Sequence, residues 1–278
     1  MITYLMDERA ISQKIGRMIP HPIRLFNLAG LGVNQTRFIN DLAPTFETLP
    51  WDTYDVEREQ AAFVALHGKS DTWSPETKTA YDAIVPYRRR AIARFTVTHH
   101  SKLNCNVERT PAEAFSQNVS GGDYRSKKRT FKEMSDFTVR HPEFQKLFSS
   151  VIKMVKSARP EAKEIVITAH QVGTVARAGR KGDNAPEGIH QDGADFIVSA
   201  IEIEQRGIRG GLSTVYFHTE ENTYIKCFER DLNAGEGIFQ ADKGSPLWHD
   251  VSPIVLIPNA EYKEGIRNTF GFDIVIKK

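Results

Sequence analysis

The stretch EGIHQDGADFIVSAIEIE (residues 187–204) places a histidine and an aspartate two residues apart, directly before an apolar run. Alternate residues of an extended chain face the same side, so the side chains of His190 and Asp192 can point at one ion. Gly188 and Gly193 flank the pair and remove side-chain bulk where a ligand must approach. The pair alone is weak evidence for a metal site, because a histidine beside an aspartate is common on protein surfaces.

A third ligand is predicted in DKGSPLWHDVSPIVLIP (residues 242–258), where His249 comes just before a short apolar strand. Two neutral imidazoles and one carboxylate on one face leave the opposite coordination positions open, which is the facial triad of non-haem Fe(II) oxygenases. Zinc can use the same donors, but structural zinc prefers four protein ligands and usually cysteine. The chain has only two cysteines, far apart in sequence, so a structural zinc site is not indicated.

An oxygenase of this type needs a reductant, and the usual one is 2-oxoglutarate, whose far carboxylate must be held by a fixed cation. Arginine suits this task because its planar fork meets a carboxylate through two hydrogen bonds and stays charged when buried. The segment GIRNTFGFDIV (residues 265–275) places Arg267 at the start of the last predicted strand, with Thr269 two residues on. The two side chains therefore share a face, and the threonine hydroxyl can bind the same carboxylate.

Four segments together, PEGIHQDGADFI, IRGGLSTVY, WHDVSPI and GIRNTFGF, resemble the iron- and 2-oxoglutarate-dependent dioxygenases. The resemblance is closest to the bacterial subgroup that hydroxylates free or N-substituted amino acids, typified by L-isoleucine dioxygenase. It implies that His190, Asp192 and His249 are catalytic ligands of Fe(II), and that Arg267 and Thr269 bind the 2-oxoglutarate carboxylate. The implied reaction consumes O2 and hydroxylates an unactivated C–H bond of a free L-amino acid, with release of succinate and CO2. Ascorbate is expected to help in vitro.

The resemblance covers residues 164–278 and implies a double-stranded β-helix, or jelly roll, with N-terminal helices packed on one sheet. The sequence itself favours an antiparallel sandwich or barrel, because short strand-like runs follow one another with turn residues between most of them. The predicted strands are EIVITAHQVGTV, ADFIVSAIEIE, GLSTVYFH, TYIKCFE, GEGIFQAD, SPIVLIP and TFGFDIVIKK.

The first half of the chain is predicted to be mixed. Apolar spacing and turn residues indicate three helices, one strand, a loop with a short helix, and a loose loop. The predicted helices are residues 7–19, 36–50 and 141–160, and the predicted strand is residues 91–100. The loop with a short helix is residues 69–87, and the loose loop is residues 116–130. No linker is visible, so we predict one catalytic domain over 1–278. Its residues 1–160 form a mixed α/β bracing region with lid loops, and 161–278 form the jelly-roll core with the metal site.

Bulk composition restricts the partners. A net charge of +2, with 37 basic and 35 acidic residues, leaves no basic surface of the kind that binds nucleic acid. No apolar run reaches the ~20 residues of a membrane span, and the N-terminus lacks a basic segment followed by an apolar core. We therefore predict a cytoplasmic enzyme of a small-molecule substrate, with no nucleic-acid or membrane partner; a homodimer is compatible with the sequence.

An amino-acid substrate needs a cation for its α-carboxylate and acceptors for its ammonium group. Arg94 on the predicted strand 91–100, Arg177 in the segment before the His-x-Asp pair, and Asp195 after it are the predicted substrate-binding residues. The same chemistry is available at Arg88, Arg90 and Glu187. Each of these side chains taken singly is more often a solvated charge or a turn cap.

Three alternatives stay open. The same iron chemistry can act on another small molecule or on an N-substituted or peptide-bound residue, by hydroxylation, desaturation or ring formation. A cupin-like binding protein would hold metal without consuming 2-oxoglutarate, but it leaves Arg267 unexplained. Nucleic-acid demethylation is disfavoured by the near-neutral charge. Halogenases that share the fold of these dioxygenases lack the carboxylate ligand of the metal. The presence of Asp192 therefore disfavours halogenation.

Overall fold

The computed structural model describes residues 22–99, 105–112, 128–258 and 261–277 of the protein. The helices in these ranges are α1 (Gln35–Leu42), α2 (Tyr54–His67), α3 (Pro75–Asp82), α4 (Asp136–Arg140) and α5 (Pro142–Ala158). The strands are β1 (Ile23–Asn27), β2 (Arg88–His99), β3 (Cys105–Thr110), β4 (Lys132–Glu133), β5 (Glu164–Arg177), β6 (Phe196–Arg206), β7 (Ile208–Gly210), β8 (Ser213–His218), β9 (Tyr224–Arg230), β10 (Glu236–Ala241), β11 (Leu247–Val251), β12 (Ile254–Leu256) and β13 (Glu264–Lys277).

One large sheet and two small ones form the β-structure. The large sheet has the strand order β1-β10-β6-β13-β5-β2-β3, and β4 adds to β2 as a parallel neighbour. The small sheets have the orders β11-β8-β9 and β12-β7. All pairings other than β2 with β4 are antiparallel. The predicted fold class, a mainly antiparallel jelly roll braced by helices, is confirmed.

The large sheet has one apolar and one polar face, because side chains alternate along a strand. Along β13, Phe270 and Phe272 point to the helices, whereas Arg267, Thr269 and Asp273 line a cavity on the other side. The same division holds for β2 and β5. Their cavity-lining members are Arg88, Arg90, His170, Val172 and Thr174, and their buried apolar members include Ala91, Ala93, Phe95, Ile165, Ile167 and Ala169.

The apolar face is covered mainly by α5. This helix begins after His141, whose side chain accepts a hydrogen bond from the Glu143 amide, and it has proline at its first position. Its buried stripe repeats at spacings of three and four residues and packs on the aromatic residues of β13. The stripe consists of Phe144, Leu147, Phe148, Val151, Ile152 and Val155. Among the described residues, no helix is long and apolar enough to cross a membrane.

Most predicted elements are present, with shifted limits. Each of the seven predicted C-terminal strands is found, the helix of residues 141–160 is α5, and the short helix within 69–87 is α3. The helix of 36–50 ends at Leu42 and continues as a 3-10 turn, Ala43–Phe46. Helices α2 and α4 and strands β1, β3, β4, β7 and β11 were not predicted. The predicted helix of 7–19 and most of the predicted loop 116–130 lie outside the described residues.

Phe270 lies at the centre of the apolar face, fully buried and in edge-on contact with the rings of Phe38, Phe46 and Phe144. We expect Phe270→Ala to lower the free energy of unfolding by about 3–5 kcal/mol, because the cavity cannot close against three rings. Chemical denaturation measures this loss. Val275→Ala on the same strand, where the side chain is 39% exposed, is expected to cost about 1 kcal/mol or less. Equal losses in the two variants would contradict the central position of Phe270 in the core.

Candidate active site

His190, Asp192 and His249 form one group, hereafter the triad, whose candidate ligand atoms all lie within 4.8 Å of one another. The Asp192 carboxylate lies between the two imidazoles, with its oxygens 3.4 Å from His190 Nε2 and 3.5 Å from His249 Nε2. Both histidines are buried and the aspartate is partly buried. Three donors from one side, with space opposite, match the facial arrangement in which non-haem Fe(II) is held.

Backbone pairing brings the two histidines together. The His190 amide donates to the His249 carbonyl at 2.9 Å, and the His249 amide donates back at 3.0 Å. His249 lies within β11 and precedes the short apolar strand β12, as predicted, whereas His190 and Asp192 precede β6 in an irregular segment. The side chains of His190, Asp192 and His249 therefore converge because of the backbone pairing of His190 with His249 and because of the contacts that hold the segment, not because of a regular strand.

Gln191 and Asp242 hold the irregular segment. The Asp242 carboxylate accepts hydrogen bonds from the amides of Asp192, Gly193 and Ala194 at 3.2, 2.7 and 3.0 Å. The Gln191 amide nitrogen donates to three carbonyls of the facing turn, those of Asp242, Ser245 and Leu247. Asp242 is fully buried. Together these bonds place the carboxylate of Asp192 in one position between the imidazoles.

The tautomer of His190 is set by its other ring nitrogen. Nδ1 lies 2.7 Å from the Gly188 carbonyl, which can only accept, so Nδ1 carries the proton. The lone pair of Nε2 therefore faces Asp192 and is available to a metal. This is the usual way in which proteins orient a ligating imidazole.

Arg267 and Thr269 line the same cavity as the triad. The guanidinium of Arg267 is buried, with Nη2 2.9 Å from Glu202 Oε2 on the neighbouring strand β6 and Nη1 3.5 Å from Asn184 Oδ1. Gly211 packs against this side chain: a Cβ at position 211 would lie 3.0 Å from Arg267 Cδ and 3.2 Å from Nε. The position also has φ +79°, which favours glycine.

Glu202 is almost fully buried, and burial raises the pKa of its carboxyl group to about 7, although Arg267 opposes this shift. Ionised Glu202 offsets the charge of Arg267. Protonated Glu202 leaves that charge uncompensated. The strength with which Arg267 attracts an anion therefore depends on pH near neutrality.

A second polar group lines the cavity, on β2, β5 and β13. Arg90 Nη2 lies 2.9 Å from His170 Nδ1, and His170 Nε2 lies 3.2 Å from Asp273 Oδ2. Because a guanidinium can only donate, Nδ1 of His170 is the acceptor and its proton is on Nε2, towards the carboxylate. Burial lowers the pKa of His170, so the ring is neutral. The buried guanidinium of Arg129 lines the cavity beside this group.

Some predicted site residues meet in the cavity and others do not. The triad, Arg267 and Thr269 line one cavity of about 130 Å³, as do Arg88, Arg90 and Glu187. Arg94, Arg177 and Asp195 are not among its lining residues. Arg177 contacts Glu264 and the Trp51 ring, and Asp195 is exposed and accepts a hydrogen bond from the Ile276 amide.

Several residues that shape the site are missed by reasoning from sequence. Asp242 and Glu202 reach it through strand pairing, and no local spacing marks either of them. His170 reads as an ordinary strand residue, yet its period-two spacing from Val172 and Thr174 places it on the cavity face. Arg129 lies in a basic run that carries no periodic signal.

The model of the family described as 2OG-Fe dioxygenase matches residues 73–273, well over half of the chain. This chain belongs to the 2OG-Fe dioxygenase family. It is therefore an oxygenase that depends on Fe(II), 2-oxoglutarate and O2 and acts on a small molecule. A search of curated proteins finds no match.

Solved structures share the fold of this dioxygenase. A bsmA homologue from Methylobium petroleophilum PM1 has a TM-score of 0.70 at 17% identity, over 99% of this chain and 95% of the other. IDO from Bacillus thuringiensis has a TM-score of 0.65 at 14% identity, covering all of both chains. The Fe(II)/α-ketoglutarate-dependent dioxygenase TqaL has a TM-score of 0.58 at 16% identity, over 98% and 89%.

Gly211→Ala tests whether Arg267 anchors 2-oxoglutarate. The added methyl group shifts the Arg267 side chain by a few tenths of an ångström, and we expect the affinity of the Mn(II)-loaded dioxygenase for 2-oxoglutarate to fall by up to about 10-fold, part of what a fully lost charge-assisted hydrogen bond costs. Calorimetry under argon measures the affinity. Gly244→Ala is the matched control, because φ there is +75° and an added Cβ would meet no atom within 4 Å, so only the backbone cost is shared. A similar loss of affinity in both variants would contradict the assignment.

Glu202→Gln tests the effect of pH on the same anchor. In the native dioxygenase, Glu202 ionises as pH rises through its pKa of about 7, and its negative charge then offsets that of Arg267. We therefore expect the dissociation constant of 2-oxoglutarate to increase between about pH 6 and pH 8, one unit either side of that pKa, and this increase to be absent in Glu202→Gln. The neighbouring Asp231 also raises the pKa of Glu202, so Asp231→Asn should move the transition to lower pH. An unchanged pH profile in Glu202→Gln would refute this role.

Proposed function

We propose that this dioxygenase hydroxylates an unactivated C–H bond in the side chain of a free L-amino acid and releases succinate and CO2. The triad would hold Fe(II), and Arg267 with Thr269 would hold the far carboxylate of 2-oxoglutarate. The observation that carries the proposal is the composition of the cavity. Beyond the triad and the anchor, it is lined by charges of both signs: basic Arg90 and Arg129, and acidic Glu187 and Asp273.

The triad fits an iron ion on chemical grounds. Two imidazole nitrogens and one carboxylate have converging donor atoms, and the tautomer of His190 presents a lone pair to the same point. Three protein ligands would leave coordination positions open at the metal for the cosubstrate. The bound iron and cosubstrate supply the oxidising chemistry.

The protein's own residues would bind, orient and exclude water. Arg267 would bind the far carboxylate of 2-oxoglutarate and so orient the molecule towards the triad. Asp242 keeps Asp192 in place by accepting hydrogen bonds from the amides of Asp192 and Gly193. The charges of both signs suit a zwitterion, since a free amino acid carries a carboxylate and an ammonium group.

Succinate release tests the proposal. With Fe(II), ascorbate and 2-oxoglutarate under air, each proteinogenic amino acid, citrulline, ornithine and pipecolate is added in turn. We expect one to stimulate succinate formation and to gain one oxygen by mass. An uncoupled background rate with every compound would refute the free amino acid while leaving the oxygenase assignment intact. A product of altered mass without added oxygen would favour desaturation or ring formation.

His249→Ala tests the triad apart from turnover. We expect its affinity for Co(II), followed by visible absorption, to fall by more than the roughly 10- to 100-fold that the loss of an outer partner costs. His218→Ala is the control. This half-buried histidine on β8 packs on Trp248 of β11 and does not line the cavity. Retained Co(II) affinity in His249→Ala would exclude it as a ligand.

A further inference from the structure

We infer that Asp273 is the specificity-determining acid of the cavity: its carboxylate binds the cationic nitrogen of the substrate, and His170 positions that carboxylate. This inference rests on the proposed function and deepens it, because it makes the protonated amine, not an N-acylated or deaminated compound, the form that the enzyme accepts. Asp273 belongs neither to the triad nor to the Arg267 anchor, although it lines the same cavity.

Asp273 lies at the opposite end of β13 from the anchor for 2-oxoglutarate. The alternate residues of this strand that line the cavity run from Arg267 through Thr269 and Gly271 to Asp273. Extended chain advances roughly 3.4 Å per residue, so the Cα atoms of Arg267 and Asp273 are about 20 Å apart. A 2-oxoglutarate molecule held at Arg267 therefore does not extend to Asp273, and the two residues can serve different ligands.

The segment that carries His190 and Asp192 meets β13 beside Asp273. The Asp195 amide donates to the Ile274 carbonyl at 2.9 Å, and Phe196 at the start of β6 is paired with Ile274. Asp192 comes only three residues before Asp195. A substrate whose cationic nitrogen contacts Asp273 is therefore held next to the triad, as hydroxylation requires.

The negative charge of Asp273 is not cancelled by its contact partner. In the described part of the chain, the basic group within ion-pair distance of Asp273 is His170, whose Nε2 lies 3.2 Å from Oδ2. Burial lowers the pKa of His170 and outweighs the opposing effect of the Asp273 charge, so the ring is neutral. With only 14% of its side chain exposed, Asp273 has lost much of its hydration, and a bound cation offsets that loss.

His170 positions the carboxylate because its two ring nitrogens have different roles. Nδ1 accepts from Arg90 Nη2 at 2.9 Å, so the proton is on Nε2, towards Asp273. His170 is paired with Gly271, which has no side chain to separate the ring from Asp273 two residues further on. A carboxylate has about four acceptor sites, so a substrate ammonium group can bind beside the ring.

Glu187 is the other acidic residue that lines the cavity outside the triad, among the described residues. Its Oε1 lies 3.3 Å from His190 Nε2, the atom whose lone pair is available to a metal. A cation bound at Glu187 would therefore compete with the metal for the same space. Asp273 contacts His170 instead, which is not a member of the triad.

The first experiment compares a cation with an uncharged compound of similar shape. The enzyme is loaded with Mn(II), saturated with 2-oxoglutarate under argon, and titrated calorimetrically with 3-methylbutylammonium or 3-methylbutan-1-ol. We expect the ammonium ion to bind at least about 10-fold more tightly, the effect of a charge-assisted hydrogen bond. Equal affinities, or failure of the ammonium ion to bind, would overturn the inference. The titration needs no turnover, so it remains decisive if no amino acid is hydroxylated and the proposed function fails.

Asp273→Asn tests the acid itself, because it removes the charge and keeps an acceptor for the Nε2 proton of His170. We expect the affinity for the ammonium ion to fall about 10- to 100-fold, with that for the alcohol unchanged. Glu264→Gln is the matched control and should keep the native preference, since this carboxylate of β13 pairs with Arg177 and does not line the cavity. A preference for the ammonium ion that persists in Asp273→Asn, or is lost in Asp195→Asn instead, would overturn the inference.

His170→Phe tests the positioning role. We expect it to lower the affinity for the ammonium ion about 2- to 10-fold, the range for a lost neutral hydrogen bond, and to leave the affinities for the alcohol and 2-oxoglutarate unchanged. His170→Gln should restore most of the loss, because an amide can also accept from Arg90 and donate to Asp273. Native affinity for the ammonium ion in His170→Phe would refute the positioning role. Parallel loss of all three ligands in Asp273→Asn would identify Asp273 as a structural residue and overturn the inference.

Discussion

The period-two alternation along β13 is the constraint on which the rest of the molecule depends. This strand lies between β6 and β5 in the large sheet, and it supplies Phe270 and Phe272 to the helix-covered core. Its other face supplies Arg267, Thr269 and Asp273 to the cavity. A slip of one residue would bury the charges against α5 and expose the rings, so the apolar core also sets the register of the polar site.

Burying so many charges restricts how the barrel can be built. Each ion pair ties an element of the first half of the chain, or an adjacent strand, to the cavity wall. Asp52 lies just before α2 and Asp55 in its first turn, and both pair with Arg88 on β2. Glu202 on β6 pairs with Arg267 on β13. A buried ion pair contributes little net stability, but removing one partner is costly. The pairs therefore act mainly to fix the positions of side chains. Asp242 fixes the position of Asp192 in a similar way, through hydrogen bonds to backbone amides.

Much of the fold and the triad could be predicted from sequence, because the signals are local. The strands are short runs between turn residues, and His190, Asp192 and Arg267 stand in compact motifs that resemble a known family. The resemblance was needed, since the segment of His190 and Asp192 is not a regular strand and period-two spacing alone did not describe it. Asp242 and Glu202 could not be predicted, because each reaches the site through pairing between strands distant in sequence.

The arginines of β2 show why residue type and spacing do not suffice to assign roles along the cavity wall. Arg88, Arg90 and Arg94 have the same alternation, and nothing in the sequence ranks them. In the sheet, Arg88 stands in the row of Thr174 and Arg267, Arg90 in the row of Val172 and Thr269, and Arg94 in the row of Thr168 and Asp273. The contacts beyond the strand differ as well: Asp52 and Asp55 pair with Arg88, whereas Arg90 contacts His170 and the ring of Phe131. The surroundings of each arginine therefore follow from how β2 pairs with β5, a property of two strands together and not of either sequence segment alone.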